Sequence, residues 1–134
     1  MLEKIHDNII IKYSVDFENS KIIINTINEN GERVDIIFEN ILTCAFENQQ
    51  KNSIILDIEE RTSKEFINDN IELLKRDYGW PIIFNNIEEL NNTLETQKYK
   101  YYILQSSYGM YGWILATGLQ EIKVVTEGRT KNIW

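Results

Sequence analysis

The chain of 134 residues contains a single cysteine and a single histidine. One cysteine excludes an intramolecular disulfide and a metal site built on paired thiolates, and one histidine excludes the two-histidine motifs of zinc enzymes. Cys44 stands in an apolar stretch, where we expect it to behave as a small buried hydrophobe. A Ser-His-Asp or Cys-His arrangement would have to use His6, for which we expect a surface position instead.

Long apolar runs are also missing. The longest has about four residues, whereas a helix that spans a bilayer needs ~20. Residues 1–7 mix both charges, and the apolar stretch at residues 9–11 is too short for the core of a signal peptide. We therefore expect a cytoplasmic protein that does not contact a membrane.

The chain is acidic, with 14 Lys+Arg against 21 Asp+Glu and a formal net charge of −7. Residues 1–97 carry 9 basic and 19 acidic side chains, a balance of −10, and residues 98–134 carry 5 and 2, a balance of +3. An acidic body repels phosphate backbones, and the basic last third lacks an RNA-binding motif, so we expect no nucleic-acid partner. A basic protein partner would instead be attracted. Simple solubility is the alternative explanation of the charge.

The hydrophobic fraction of 43% and the charged fraction of 26% are ordinary for a globular chain. The length suits one domain that can bury its own core. The chain shows no internal repeat and no linker. We therefore predict a single domain over residues 1–134.

Alternating apolar and polar residues predict five strands in the first half of the chain, at residues 8–15, 21–27, 33–38, 41–47 and 53–59. Asn30-Gly31, between the second and third strands, is a strong hairpin signal. In the fifth strand the alternation places Ile54, Leu56 and Ile58 inward, and Asp57 and Glu59 outward. Up to residue 60 we predict an antiparallel meander.

The hydrophobic period changes at Thr62. Thr62-Ser63-Lys64-Glu65 has the form of a capping box, and the apolar residues that follow predict a helix to about Asp77 that stops at Gly79. Trp80-Pro81 breaks the pattern. A second helix is predicted over residues 87–96, with Asn86 as its cap.

The pattern of residues 99–116 predicts two apolar strands with a connection between Gly109 and Gly112. The spacing of these glycines matches no phosphate-binding loop, so a hairpin is the better interpretation. A last strand is predicted over residues 121–126, followed by a frayed tail at 127–134. The fold class is therefore α+β and mainly antiparallel, with an N-terminal meander of about five strands, two helices and C-terminal strands.

In the sequence, acidic side chains provide the one candidate for a metal-binding or acid–base site. The candidates are Asp57, Glu59 and Glu60 at the end of one strand, and Glu88 and Glu89 at the start of the second helix. Such carboxylates can hold a hard cation or act as acid and base. A solvated strand face and the preference of a helix N-terminus for negative charge are the stronger explanation of these residues. We expect no metal, no cofactor and no catalysis.

Aromatic side chains around the hairpin are candidates for partner contact. Tyr108, Tyr111 and Trp113 lie close together in the sequence, and Tyr and Trp are enriched in the centres of protein interfaces. Packing into the domain's own core is the alternative.

The overall pattern resembles the immunity proteins of bacterial polymorphic-toxin and contact-dependent inhibition systems. The segments that carry this resemblance are V-D-I-I-F-E-N-I-L at 34–42, Y-G-W-P at 78–81 and Y-Y-I-L-Q-S-S-Y-G-M-Y-G-W-I-L-A at 101–116. The resemblance implies a cytoplasmic protein that binds and blocks a cognate toxin domain without catalysis, and it assigns no residue as a toxin contact.

Our prediction is therefore a non-catalytic binding protein that uses the acidic and aromatic candidates above. A small-molecule or divalent-metal-dependent enzyme using the same carboxylates is one alternative. A structural subunit of a homo-oligomer is the other.

Overall fold

The computed structural model describes residues 5–124. Within this range eight strands form one antiparallel sheet, accompanied by three helices, which confirms the α+β class. The elements are β1 (Ile9–Asp16), β2 (Lys21–Ile27), β3 (Arg33–Glu39), β4 (Thr43–Glu47), β5 (Ile54–Thr62), α1 (Ser63–Asp69), α2 (Ile71–Arg76), α3 (Ile87–Thr96), β6 (Lys100–Tyr108), β7 (Tyr111–Ala116) and β8 (Gly118–Val124). The predicted last strand thus begins earlier than expected. Its predicted end at 125–126 and the predicted tail lie outside the described residues.

The first three strands form a meander. β2 pairs with β1 on one side and with β3 on the other, both antiparallel. In the turn between β2 and β3, the Asn28 side-chain oxygen accepts hydrogen bonds from the backbone N–H groups of Asn30 and Glu32, both at 2.9 Å. Gly31 takes a φ of 81°, a left-handed conformation that costs glycine little. This is the hairpin that the Asn-Gly pair predicts.

The full strand order is β4-β7-β6-β5-β1-β2-β3-β8. β4 therefore leaves the meander and lies beside β7, while β5 lies between β1 and β6. The change of neighbour occurs at a kink after β3, where Asn40 takes a φ of 52°. Beyond the kink the Leu42 amide donates to the Leu115 carbonyl at 2.8 Å. Between β7 and β8 of the facing segment, the Thr117 amide donates to the Glu39 carbonyl at 3.1 Å. Because β3 pairs with β8 and β4 with β7, the sheet curls and acquires an inner and an outer face.

The inner face holds the larger core. Alternate residues of β1, β2, β3, β5, β6 and β7 point into it, and Phe38 and Tyr102 meet edge to face there with ring centroids 5.5 Å apart. Cys44 packs against this cluster as a half-buried side chain, and burial raises the pKa of its thiol. The buried members are Ile5, Ile10, Ile22, Ile24, Val34, Ile36, Phe38, Ile41, Ile55, Ile58, Tyr102, Leu104, Met110, Ile114 and Ala116.

The helices cover part of the outer face, over β6 and β7. Phe66 of α1 is fully buried at the centre of this second core. Its ring centroid lies 5.7 Å from that of Trp80, 5.5 Å from that of Tyr101 and 5.3 Å from that of Trp113. We call this set the helix-side cluster; its buried members are Phe66, Ile67, Leu74, Phe84, Leu90, Leu94, Tyr99, Tyr101 and Leu115.

Side-chain caps fix where the helices begin. The Glu65 amide donates to Thr62 Oγ1 at 3.2 Å while the Thr62 amide donates to Glu65 Oε2 at 3.4 Å, so the predicted capping box is confirmed. At α3 the Glu89 amide donates to Asn86 Oδ1 at 2.8 Å, as predicted. α3 has the predicted bounds.

The single helix predicted from Thr62 to about Asp77 is wrong, because it is divided at Asn70. This residue ends α1 and precedes α2, with φ −116° and ψ 19°. Its side-chain amide donates to the Phe66 carbonyl at 2.9 Å, and its backbone amide is shared between the carbonyls of Phe66 and Ile67 at 3.1 and 3.2 Å, as is common at a helix end. The backbone of Asn70 departs from helical geometry, and the structure has three helices in place of two.

Candidate functional site

The candidate acids of β5 lie on both faces of the sheet. Ile58 points into the inner core, so Asp57 and Glu59 share the outer face and lie opposite Gln105 and Ile103 of β6. Glu60 points to the other side and is exposed, with its carboxylate 3.8 Å from the Lys100 amine. Asp57 and Glu59 thus form a pair, and Glu60 stands apart from it.

Glu59 already has two polar partners. Its Oε1 accepts hydrogen bonds from Arg61 Nη2 at 2.9 Å and from Gln105 Nε2 at 3.1 Å. The bond to Glu59 is also the main reason that the pKa of Arg61 is raised. The side chains of Arg61 and Glu59 are 35% and 42% exposed, so solvent screens this ion pair and it stabilises the fold little. An incoming cation could therefore displace Arg61 at small cost.

Glu88 and Glu89 belong to the first turn of α3. Glu89 is held there, because its Oε1 accepts a hydrogen bond from the Asn85 amide at 2.7 Å. Among residues 5–124, no hydrogen bond or ion pair joins these two acids to Asp57 or Glu59. The positive end of the helix dipole stabilises negative charge at this position, which is a sufficient structural reason for both residues.

The three candidate aromatic residues occupy different environments. Tyr108 is 53% exposed at the end of β6, and Tyr111 is 42% exposed at the start of β7. The Tyr111 hydroxyl donates to Glu47 Oε1 at 3.2 Å, and the negative charge of Glu47 raises the pKa of Tyr111. Trp113 packs half-buried in the helix-side cluster against Phe66, so the structure assigns it to the domain's own core. We withdraw Trp113 as an exposed anchor.

A β-bulge changes which residues of β5 are exposed. The register with β6 shifts on both sides of Ile55, and Leu56 is the extra residue of β5 between Ile55 and Asp57. Ile55 is buried and Leu56 is 43% exposed. The prediction that Leu56 points inward is therefore wrong. Ile54 lies directly opposite both Ile9 and Tyr108, so aliphatic and aromatic side chains adjoin Asp57 on the outer face. Sequence alternation alone gives no signal for the bulge.

Two of the open clefts among residues 5–124 lie away from these acids. One, of about 510 Å³, is lined by residues 9–13, residues 49–53 and Met110. The other, of about 230 Å³, is lined by polar side chains that include His6 and Asp7. Within residues 5–124, no three His, Cys, Asp or Glu side chains are grouped to hold a metal ion.

None of the helices in the described part of the chain has both the length and the apolar character needed to cross a membrane.

Tyr101 of β6 is hydrogen-bonded to α1, and this bond leads to a prediction on how stability depends on pH. Its hydroxyl donates to Asp69 Oδ2 at 2.9 Å. Burial, with a smaller contribution from the Asp69 bond, raises the pKa of Tyr101 far above the ordinary value near 10. The fold therefore gains stability below pH ~10 and loses it at higher pH, because the unfolded chain releases the phenol proton first.

We expect Tyr101→Phe to lower the free energy of unfolding at pH 7 by about 1 kcal/mol, through loss of the hydrogen bond. The same variant should reduce the decline in stability above about pH 10. Urea unfolding of wild type and variant at neutral and alkaline pH measures both effects. Tyr108→Phe, at an exposed ring, is the matched control. A variant whose stability falls with pH in parallel with wild type would contradict the prediction.

Comparison with known proteins adds no identity. No protein family, no curated protein and no solved structure matches this chain.

Proposed function

We propose that the chain is a non-catalytic binding protein of the immunity type, which acts in the cytoplasm and neutralises a basic bacterial toxin domain. Its contact site would be the surface formed by Ile54, Leu56, Asp57, Glu59 and Tyr108, which we call the β5 surface. The observation that carries the proposal is that exposed apolar side chains adjoin carboxylates on this one strand pair.

The apolar and the charged side chains of the β5 surface contribute to binding in different ways. Leu56 and Tyr108 expose about half of their area in the free protein, so a partner that covers them gains the hydrophobic term. Aromatic residues surrounded by such contacts commonly supply much of the binding energy of an interface.

The carboxylates supply attraction and orientation. Asp57 and Glu59 lie on a chain of net charge −7, so a basic partner is drawn in from a distance and is then oriented by the local pair. The weak bond between Glu59 and Arg61 can be exchanged for a bond to the partner, since both groups are partly solvated. Charge therefore acts mainly on the rate of association.

The test of function begins with the neighbouring gene. We expect the gene immediately upstream to encode a large secreted protein with a variable C-terminal toxin domain. Co-expression of that toxin domain with this chain should restore growth, and the purified pair should form a stable complex. Continued toxicity in the presence of folded chain would overturn the proposal.

The test of the site compares two double variants of equal charge. Asp57→Asn with Glu59→Gln should slow association with the toxin domain by about tenfold at low salt, and the difference should shrink at high salt. Glu18→Gln with Glu29→Gln changes the net charge equally at exposed positions outside the β5 surface, and it should slow association less. Stopped-flow fluorescence measures both. Equal association rates for the two double variants would remove the site from the β5 surface.

A further inference from the structure

A second part of the outer face has no layer over it. In β1, β2, β3 and β8 the outward residues follow from the register: Ile23 lies opposite Ile37, Ile27 opposite Ile9, and Ile122 opposite Asp35. No residue of the helix-side cluster comes from these four strands. We call this surface the isoleucine face; its apolar members are Ile9, Ile23, Ile27, Ile37, Ile122 and Val124.

These side chains are partly solvated although β1, β2 and β3 lie inside the sheet, with β8 as its edge strand. Ile9 is 39% exposed and Ile122 is 42% exposed, while Ile23, Ile27 and Ile37 are half-buried. The register separates the pair Ile9–Ile27 from the pair Ile23–Ile37 by the polar row of Lys12, Asn25 and Asp35. Apolar pairs on a sheet face without a second layer are available to a partner. The apolar area that remains in contact with water is a source of binding energy.

The charges on the isoleucine face indicate what kind of partner fits. Three basic and three acidic side chains point outward from β1, β2 and β3, and their formal charges cancel; they are Lys12, Lys21, Arg33, Asp16, Asp35 and Glu39. The chain as a whole carries −7. A strongly basic partner gains nothing from a balanced surface, whereas a second copy of the same surface offers both signs to meet their opposites.

We propose that the isoleucine face is the interface of a homodimer, with a second copy of this chain as its partner. A two-fold contact uses the same patch on both copies, so the isoleucine pairs of one copy meet those of the other. This surface adjoins the β5 surface, because Ile9 lies opposite Ile54. The two proposals still fail independently, since self-association of the chain is measured without a toxin domain.

The dimensions of the face set the expected strength. Four strands spaced ~4.8 Å apart, with seven residues rising ~3.3 Å each, give a footprint of about 440 Å² per copy and about 900 Å² in total. This total is below the ~1,200–2,000 Å² of stable interfaces and is typical of weak, transient ones. We therefore expect a reversible dimer with a dissociation constant in the micromolar range.

Sedimentation equilibrium of the chain between about 5 and 500 µM tests the proposal directly. The mean mass of the wild type should rise with concentration from 15.9 kDa towards twice that value. A wild-type mass that stays at the monomer value at 500 µM would overturn the proposal without any variant.

Variants then locate the interface. Ile9→Lys with Ile122→Lys places two charges on exposed positions of the face and should weaken the dimer at least tenfold. Leu73→Lys with Ile83→Lys is the matched control on the helix side, at positions that are 38% and 88% exposed, and it should dimerise as the wild type does. Should the lysine pair unfold, as seen by circular dichroism, Ile9→Thr with Ile122→Thr replaces it and keeps β-branched residues. A folded face variant that dimerises as well as the control would refute this interface.

Discussion

Replacing Phe66 by alanine should lower the free energy of unfolding by about 3–5 kcal/mol, which is the usual cost of removing a buried phenylalanine. The ring is fully buried and contacts the rings of Trp80, Tyr101 and Trp113 at centroid distances of 5.3 to 5.7 Å. These neighbours come from a loop and two strands, so they cannot collapse together into the space without moving the sheet. Urea unfolding at neutral pH measures the loss.

Phe17 provides the control for this substitution. It lies in the turn between β1 and β2 and is 75% exposed, so Phe17→Ala should change stability by less than about 0.5 kcal/mol. A loss below about 1.5 kcal/mol for Phe66→Ala would mean that the three helices are attached to the sheet only loosely. In that case Trp113 would be free to act at the surface, as the sequence first suggested.

Local sequence signals predict the elements well where the determinants are close in the chain. The capping box at Thr62 and the cap at Asn86 satisfy amides only three residues away, and both are found as predicted. The Asn28–Gly31 turn is also decided within a few residues. Such signals need no knowledge of the rest of the fold.

The order of strands depends on contacts between distant segments, and no local pattern encodes it. β4 pairs with β7, about 70 residues later, because the kink at Asn40 turns the chain away from the meander. The bulge at Ile55 is a similar case, since it exists only in the register between β5 and β6. It is the reason that Leu56, predicted to be inward, is exposed.

The candidate site shows the same division between local and distant determinants. The two-residue period places Asp57 and Glu59 on one face, and the structure has them there. Whether Tyr108 or Trp113 is exposed depends on where the helices dock, which the hairpin sequence does not contain. Hence the aromatic set predicted from sequence mixes exposed tyrosines with a core tryptophan.

One sequence feature does anticipate the isoleucine face. Ile22-Ile23-Ile24 and Ile36-Ile37 are consecutive apolar residues, whereas a strand with one solvated face alternates. Ile22, Ile24 and Ile36 fill the inner core, and the residues between them point outward. The chain thus uses β-branched apolar side chains on both sides of strands that the helices leave uncovered, as expected for a surface that a second layer will contact.

Replacing Gly112 by alanine should lower the free energy of unfolding by at least about 3 kcal/mol, because the added methyl group has no room. Gly112 lies in β7 opposite Leu104 of β6 and Phe46 of β4. A Cβ atom there would overlap the Ala45 carbonyl oxygen and stand 2.9 Å from the Phe46 Cα. Both are backbone atoms of β4, so the strand itself would have to separate from β7.

Gly118→Ala is the matched control, since Gly118 also lies in a paired strand and the nearest atom to its added Cβ is Glu39 Oε1 at 3.7 Å. This variant should change stability by no more than about 1 kcal/mol, in the stabilising direction if the unfolded chain loses freedom. Thermal and urea unfolding compare the two. Equal stability for both variants would mean that β4 is not held against β7 as described, and the curled sheet that separates the inner core from the outer face would then be wrong.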